Sequence, residues 1–244
     1  GALEAAREAV ELYRALAEDS STAYTPRLAM SLNNLANILS EVGEQDDALV
    51  AAREAVELYR GLAEASPAAY TPDLAMSLNN LANRFSAVGK RIEALEAARE
   101  AVRLRRALAE ASPQAYTPDL AASLNNLANS LSEVGKVNDA LVAAREAVAL
   151  YRGLAEASPQ AYTPNLAMSL NNLANLLSAV GDREGALGAA REAVRLRRAL
   201  AEASPAAYTP DLAMSLNNLA SFLSAVGERN GALEAAREAV ELYR

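Results

Sequence analysis

Residues 71–113 read TPDLAMSLNNLANRFSAVGKRIEALEAAREAVRLRRALAEASP. The Thr71 hydroxyl can cap a helix, Pro72 suits a first helical turn, and the Asp73 carboxylate is favoured there by the helix dipole. These signals predict a helix through LAMSLNNLANRFSAV that ends at Gly89, a residue able to take the left-handed conformation that closes helices. After a tight turn, a second and longer helix begins near Ile92 and continues through ALEAAREAVRLRRALAEAS until Pro113 stops it. The segment is a helical hairpin.

The hairpin recurs. Ala-Leu pairs start at Ala2, Ala48, Ala94, Ala140, Ala186 and Ala232, a spacing of 46 residues without insertion or deletion. Residues 48–93 and 140–185 differ at only eight positions. The spacing predicts a lone second helix over 1–24 and repeats over 25–70, 71–116, 117–162, 163–208 and 209–244, forming one continuous domain. On the second helix of the first repeat, Arg53, Glu57, Arg60 and Glu64 follow one another at steps of four, three and four, a solvated face of alternating charge. Ala48, Ala52, Ala55 and Leu62 lie on one apolar flank, and Ala51, Ala55, Leu58 and Leu62 on another. A hairpin with two apolar flanks cannot bury them alone, so each copy depends on its neighbours, as in a solenoid.

The pattern resembles the tetratricopeptide repeat. LAMSLNNLA, followed by a lengthened second helix, is most similar to the kinesin light chain variety, and similar long repeats occur in bacterial multidomain signalling proteins. Leu78, Leu81, Ala82, Phe85, Gly89, Ala94 and Ala101 stand at positions matching the family's pattern. Ala98 stands where the second helix usually carries an aromatic residue. The resemblance covers essentially the whole chain and implies an all-α fold, a right-handed α-solenoid of stacked antiparallel helical hairpins.

Composition excludes several functions. With no His and no Cys, a Ser-His or Cys-His relay, a thiolate metal site and a disulfide framework are all ruled out. No GxGxxG or GxxxxGK[ST] string occurs, so no nucleotide cofactor is expected; nor is any other cofactor, metal or enzymatic activity. A formal charge of −8 argues against nucleic acid as the partner. No apolar run reaches the roughly 20 residues that span a bilayer. The opening GALEAAREAV lacks the pattern of a leader, so no membrane association and a cytoplasmic location are expected. The first and last segments are both second helices without outer partners, so the chain reads as a piece of a longer protein, and end-to-end self-association is expected.

Asparagine is a mediocre helix former, yet the first helices carry Asn33, Asn34, Asn37 and their repeats. The first and third of each trio are four apart and share a face, and the resemblance implies that this face lines a concave groove. The expected peptide-binding groove is therefore Asn33, Asn37, Asn79, Asn83, Asn125, Asn129, Asn171, Asn175 and Asn217, whose amides both donate to and accept from a peptide backbone. A structural use of the same amides, in bonds between repeats, is the alternative, and for the middle asparagines it is the expected one. The variable position after the third Asn, namely Ile38, Arg84, Ser130, Leu176 and Phe222, reads as an exposed groove edge that sets specificity. Tyr59, Arg105, Tyr151, Arg197 and Tyr243 occupy equivalent places on successive second helices and suggest an alternating ring-and-cation ladder, with Glu57 opposite Arg103 and Arg195 opposite Glu241 as lateral ion pairs. The expected function is binding of a protein or extended peptide by a repeat scaffold, the recognition arm of a larger bacterial protein. The alternative is a spacer or self-assembling module with no groove ligand.

Overall fold

The structure, a computed structural model, describes residues 1–243. Among them every element is helical: α1 (Ala2–Asp19), α2 (Ser21–Glu41), α3 (Gln45–Ala65), α4 (Pro67–Ala87), α5 (Arg91–Ala111), α6 (Pro113–Glu133), α7 (Val137–Ala157), α8 (Pro159–Ala179), α9 (Arg183–Ala203), α10 (Pro205–Ala225) and α11 (Arg229–Leu242). The chain divides into two compact units, Gly1–Val134 with α1 to α6 and Gly135–Arg244 with α7 to α11. Within each unit consecutive helices pack side by side as antiparallel hairpins, the arrangement of an α-solenoid.

Two devices set the hairpins. At the tight turn, Gly89 has φ +76°, its N–H donates to the Ser86 carbonyl, and the Lys90 N–H donates to the Phe85 carbonyl. The first helix is thereby closed in the left-handed conformation that glycine adopts without a Cβ clash. Between hairpins, Ser112 alone separates α5 from α6. Its backbone is extended, as the residue before a proline must be, and Pro113 opens the next helix, where its missing N–H costs nothing. First helices therefore begin ahead of the Thr-Pro pair, at Pro67 rather than Thr71, and Pro72 lies inside α4. The carbonyl that Pro72 leaves without a helical donor belongs to Ala68, in the exposed first turn where water can reach it.

Small residues make the helices pack closely. In unit 1, Ala48, Ala52, Ala55, Ala94, Ala98 and Ala101 are fully buried along the second helices, facing Leu32, Leu78 and Phe85 from the first. Unit 2 repeats the pattern with Ala140, Ala144, Ala186 and Ala190 against Leu170 and Leu216. First helices of successive hairpins touch directly, α2 on α4 and α4 on α6 in unit 1, α8 on α10 in unit 2. No second helix packs directly on the next second helix in either unit, among the described residues. Crowded first helices and splayed second helices make the first-helix side the inner face of each stack.

Candidate functional site

The exposed stripe of the inner face follows from helical geometry. At 3.6 residues per turn, positions 30, 34, 37 and 41 fall within roughly 60° of arc, and Met30, Asn34, Asn37 and Glu41 are all exposed. The next helix presents Met76 and Asn83 in the same way, with Asn80 half-buried between them. On α6 the stripe is Ala122, Asn126 and Asn129, on α8 Met168, Asn172 and Asn175, and on α10 Met214, Asn218 and Ser221. Asn129, Asn175 and Ser221 are exposed, while Asn126, Asn172 and Asn218 are half-buried.

The first asparagine of each trio lies elsewhere. Asn33 and Asn79 in unit 1 and Asn171 in unit 2 turn toward the seam with the next first helix of their own unit, where Asn33 and Asn171 are only 3% and 4% exposed; Asn125 is buried as deeply as Asn33. Asn33 Nδ2 donates to Ser77 Oγ at 2.6 Å, Asn79 to Ser123 at 2.6 Å, and Asn171 to Ser215 at 2.7 Å. All three serines are fully buried. These amides tie first helix to first helix, a task the sequence had suggested for the middle asparagine. Asn217, at the same place on α10, is exposed.

The variable position is not the exposed edge it resembled. One residue beyond the third Asn is about 100° around the helix, which turns it inward. Ser130, Leu176 and Phe222 are buried, and Ile38 and Arg84 are half-buried. Burial of the Arg84 guanidinium lowers its pKa, and Glu41 opposes that shift. A ligand lying on the inner face does not reach the buried three without displacing their neighbours.

The ring-and-cation ladder is also replaced by something else. Tyr59, Arg105, Tyr151 and Arg197 are buried, and each faces the following first helix rather than the next second helix. Arg105 Nη1 meets Asp119 Oδ2 at 2.7 Å, Arg197 pairs with Asp211, and Asn165 Nδ2 donates to the Tyr151 hydroxyl at 3.3 Å. Burial pushes the Tyr59 hydroxyl up to about 12, with Asp73 and Tyr70 adding to the effect. A cation-ring contact forms elsewhere, with Arg53 over Phe85 at 4.9 Å from the ring centre. The lateral ion pairs link second helices with a different register from the expected one: Arg14–Glu54 at 2.6 Å and Arg60–Glu100 at 3.0 Å in unit 1, Arg152–Glu192 at 2.9 Å and Arg198–Glu238 at 2.7 Å in unit 2. Long side chains bridge helices whose backbones stay apart.

Among the described residues no helix is long and apolar enough to cross a membrane, and no cluster of three His, Cys, Asp or Glu side chains is placed to hold a metal ion. What remains as a surface with repeated chemistry is the row of exposed methionines and amides on stacked helical hairpins.

The tetratricopeptide repeat model matches residues 28–65, 74–113, 120–157, 166–205 and 212–244, most of the chain. The chain belongs to the tetratricopeptide repeat family. Such repeats are non-catalytic scaffolds typical of protein–protein interaction. Among solved structures, the chain is similar to BtubC (BKLC) from P. vanneervenii, with 20% identity, a TM-score of 0.78, and coverage of 99% of this chain and 89% of that one. It is also similar to a putative kinesin light chain of nearly identical TPR-like repeats from Podosopora anserina, with 21% identity, a TM-score of 0.66, and coverage of 91% and 97%. YrrB, described as a TPR protein with an unusual peptide-binding site, has 19% identity, a TM-score of 0.54, and coverage of 96% and 93%. At these identities the likeness is one of fold. No curated protein sequence gives a significant match.

Proposed function

We propose that this tetratricopeptide repeat chain holds an extended segment of another protein along the inner face of a hairpin stack and performs no chemistry on it. The exposed stripe carries the reading: Met30 and Asn37, Met76 and Asn83, and then Asn129 recur on first helices packed side by side in unit 1, and Met168 and Asn175 recur in unit 2. An exposed amide offers a donor and an acceptor to a peptide bond. Packed helices lie about 8–10 Å apart, close to three residues of an extended chain at about 3.3 Å each, so successive amides address every third residue. On α2, α4 and α8 the methionine of the stripe supplies an apolar surface that adapts to different side chains, while α6 carries Ala122 there. Asn33, Asn79 and Asn171 hold neighbouring first helices together and do not face the ligand. The similarity in fold to YrrB, itself described as having a peptide-binding site, supports the reading.

Selection from a random peptide display library by the parent chain and by an Asn37→Ala, Asn83→Ala, Asn129→Ala variant tests the proposal. Enrichment by the parent that is lost in the folded variant is the expected result. Equal enrichment by both, or none by either, leaves the inner face without a ligand.

A second reading, self-association, has its own observation. Leu12 and Leu16 of α1 are 58% and 38% exposed, and Leu233 and Val240 of α11 are 50% and 53% exposed. Apolar side chains this open favour contact between copies. Sedimentation at rising concentration measures it, and a strict monomer throughout refutes it.

A further inference from the structure

Because second helices do not touch one another, a trench of about 470 Å³ opens between α1 and α3 in unit 1. Its floor is apolar, made by Val10 of α1 and by Leu32, Leu35 and Leu39 of α2. Two ion pairs cross its mouth, Arg7–Glu44 and Arg14–Glu54, each at 2.6 Å. Arg7 and Arg14 are seven residues apart, so at about 1.5 Å per residue the opening between the bars is roughly 10 Å long. Glu11 on one wall and Asp47 on the other line this window. Both are exposed and neither joins an ion pair among the described residues. Since Glu44 and Glu54 neutralise the two arginines, the window keeps two negative charges above a hydrocarbon floor.

We propose that this window receives a lysine side chain of a partner protein, its methylene stem on Val10, Leu32, Leu35 and Leu39 and its ammonium between Glu11 and Asp47. Charge complementarity selects the occupant: an apolar side chain leaves both carboxylates uncompensated, and an acidic one is repelled. Lysine fits better than arginine because its long stem covers apolar surface while its compact head donates in three directions, which suits carboxylates on opposite walls. A planar guanidinium suits one bidentate carboxylate instead. The site is separate from the inner-face stripe and stands whether or not that stripe binds a peptide.

Unit 2 contains an internal control. Its trench of about 350 Å³ between α9 and α11 has the same leucines, Leu216, Leu219 and Leu223, and the same crossing pairs, Arg191–Glu228 and Arg198–Glu238. There, however, Arg195 stands in place of Glu11 and Gly231 in place of Asp47, and Glu234, which replaces Val50, is offset by the charge of Arg195, so the window keeps no net negative charge. A cation has no reason to prefer that window.

The test is a titration followed by the NMR signals of leucine and valine methyls. The probe is a blocked pentapeptide of four alanines around a central lysine, compared with the same peptide carrying norleucine. The expected result is saturable shifts at Val10, Leu32, Leu35 and Leu39, with the lysine peptide about fivefold tighter, the effect of an exposed ion pair. The preference disappears in a Glu11→Gln, Asp47→Asn variant, and the methyls of Leu216, Leu219 and Leu223 show none. Equal affinity for both peptides, a preference that survives in the variant, or no saturable shift at the four named methyls overturns the proposal.

Discussion

Asn33 Nδ2 lies 2.6 Å from Ser77 Oγ and donates to it across the seam between two successive first helices. Asn79 repeats the bond to Ser123. The buried Oδ1 atoms of Asn33 and Asn79 have no protein donor in reach, so each asparagine gives up part of what its bond contributes. Replacing Asn33 and Asn79 by Ala is expected to lower the unfolding free energy by about 1 kcal/mol at each site, additively. Denaturant unfolding of the single and double variants measures this. Unchanged stability in the double variant would remove the structural role given to these amides.

Tyr59 makes stability fall in alkali. An unfolded tyrosine ionises near pH 10, whereas the folded Tyr59 hydroxyl is raised to about 12. Between these values the unfolded state loses a proton that the folded state keeps, so the tyrosine's contribution, whole below pH 10, disappears as pH rises toward 12. The loss amounts to about 2 kcal/mol. Thermal melts from pH 9 to 12 should show a shallower decline for Tyr59→Phe than for the parent. Parallel declines would mean that Tyr59 ionises freely in the folded chain.

The residue pairs 14 apart behave as interchangeable modules. Arg105 with Asp119 in unit 1 occupies the same place as Tyr151 with Asn165 in unit 2. Asp119→Asn alone removes the partner of a cation that is 6% exposed and is expected to cost about 1–2 kcal/mol, less than a fully buried pair because Asp119 is itself half exposed. Adding Arg105→Tyr should recover stability to within about 1 kcal/mol of the parent. A double variant no better than the single one would show that the pairs are not modular.

Gly89 closes α4 at φ +76° with no atom within 4 Å of a built Cβ. Gly89→Ala therefore meets only backbone strain, about 1–2 kcal/mol. Urea unfolding measures it, and a loss below about 0.5 kcal/mol would mean that the turn relaxes into another conformation.

The repeat length, the two helices of each hairpin and the glycine that separates them are legible in the sequence because they depend on local chemistry: periodicity, a left-handed closing residue and prolines. The start of the first helices is not legible there, since Ser66 and Pro67 are as good a start signal as Thr71 and Pro72 and only the packed structure shows that the helix extends through Pro72. The site was less legible. Asn33 and Asn37 differ by only about 40° around the helix, yet that arc separates a buried seam from an open face, and the partner Ser77 lies 44 residues away. Arg105 likewise looked like a partner for Tyr59 and Tyr151, although its nearest charge, Asp119, was visible in the next helix all along. Contacts between repeats depend on the rotation of each helix about its axis, which a single sequence does not specify to that precision.

The most direct measurement takes one peptide enriched by the parent chain and compares its Kd for Asn83→Ala and Asn79→Ala, with the melting temperature of each. An exposed Asn83 and a seam-bound Asn79 should separate cleanly. Asn83→Ala should weaken binding by about fivefold or more with an unchanged melting temperature, whereas Asn79→Ala should lower the melting temperature and leave binding to the folded chain nearly intact. The reverse pattern, or no effect of Asn83→Ala on binding, would contradict the inner-face account.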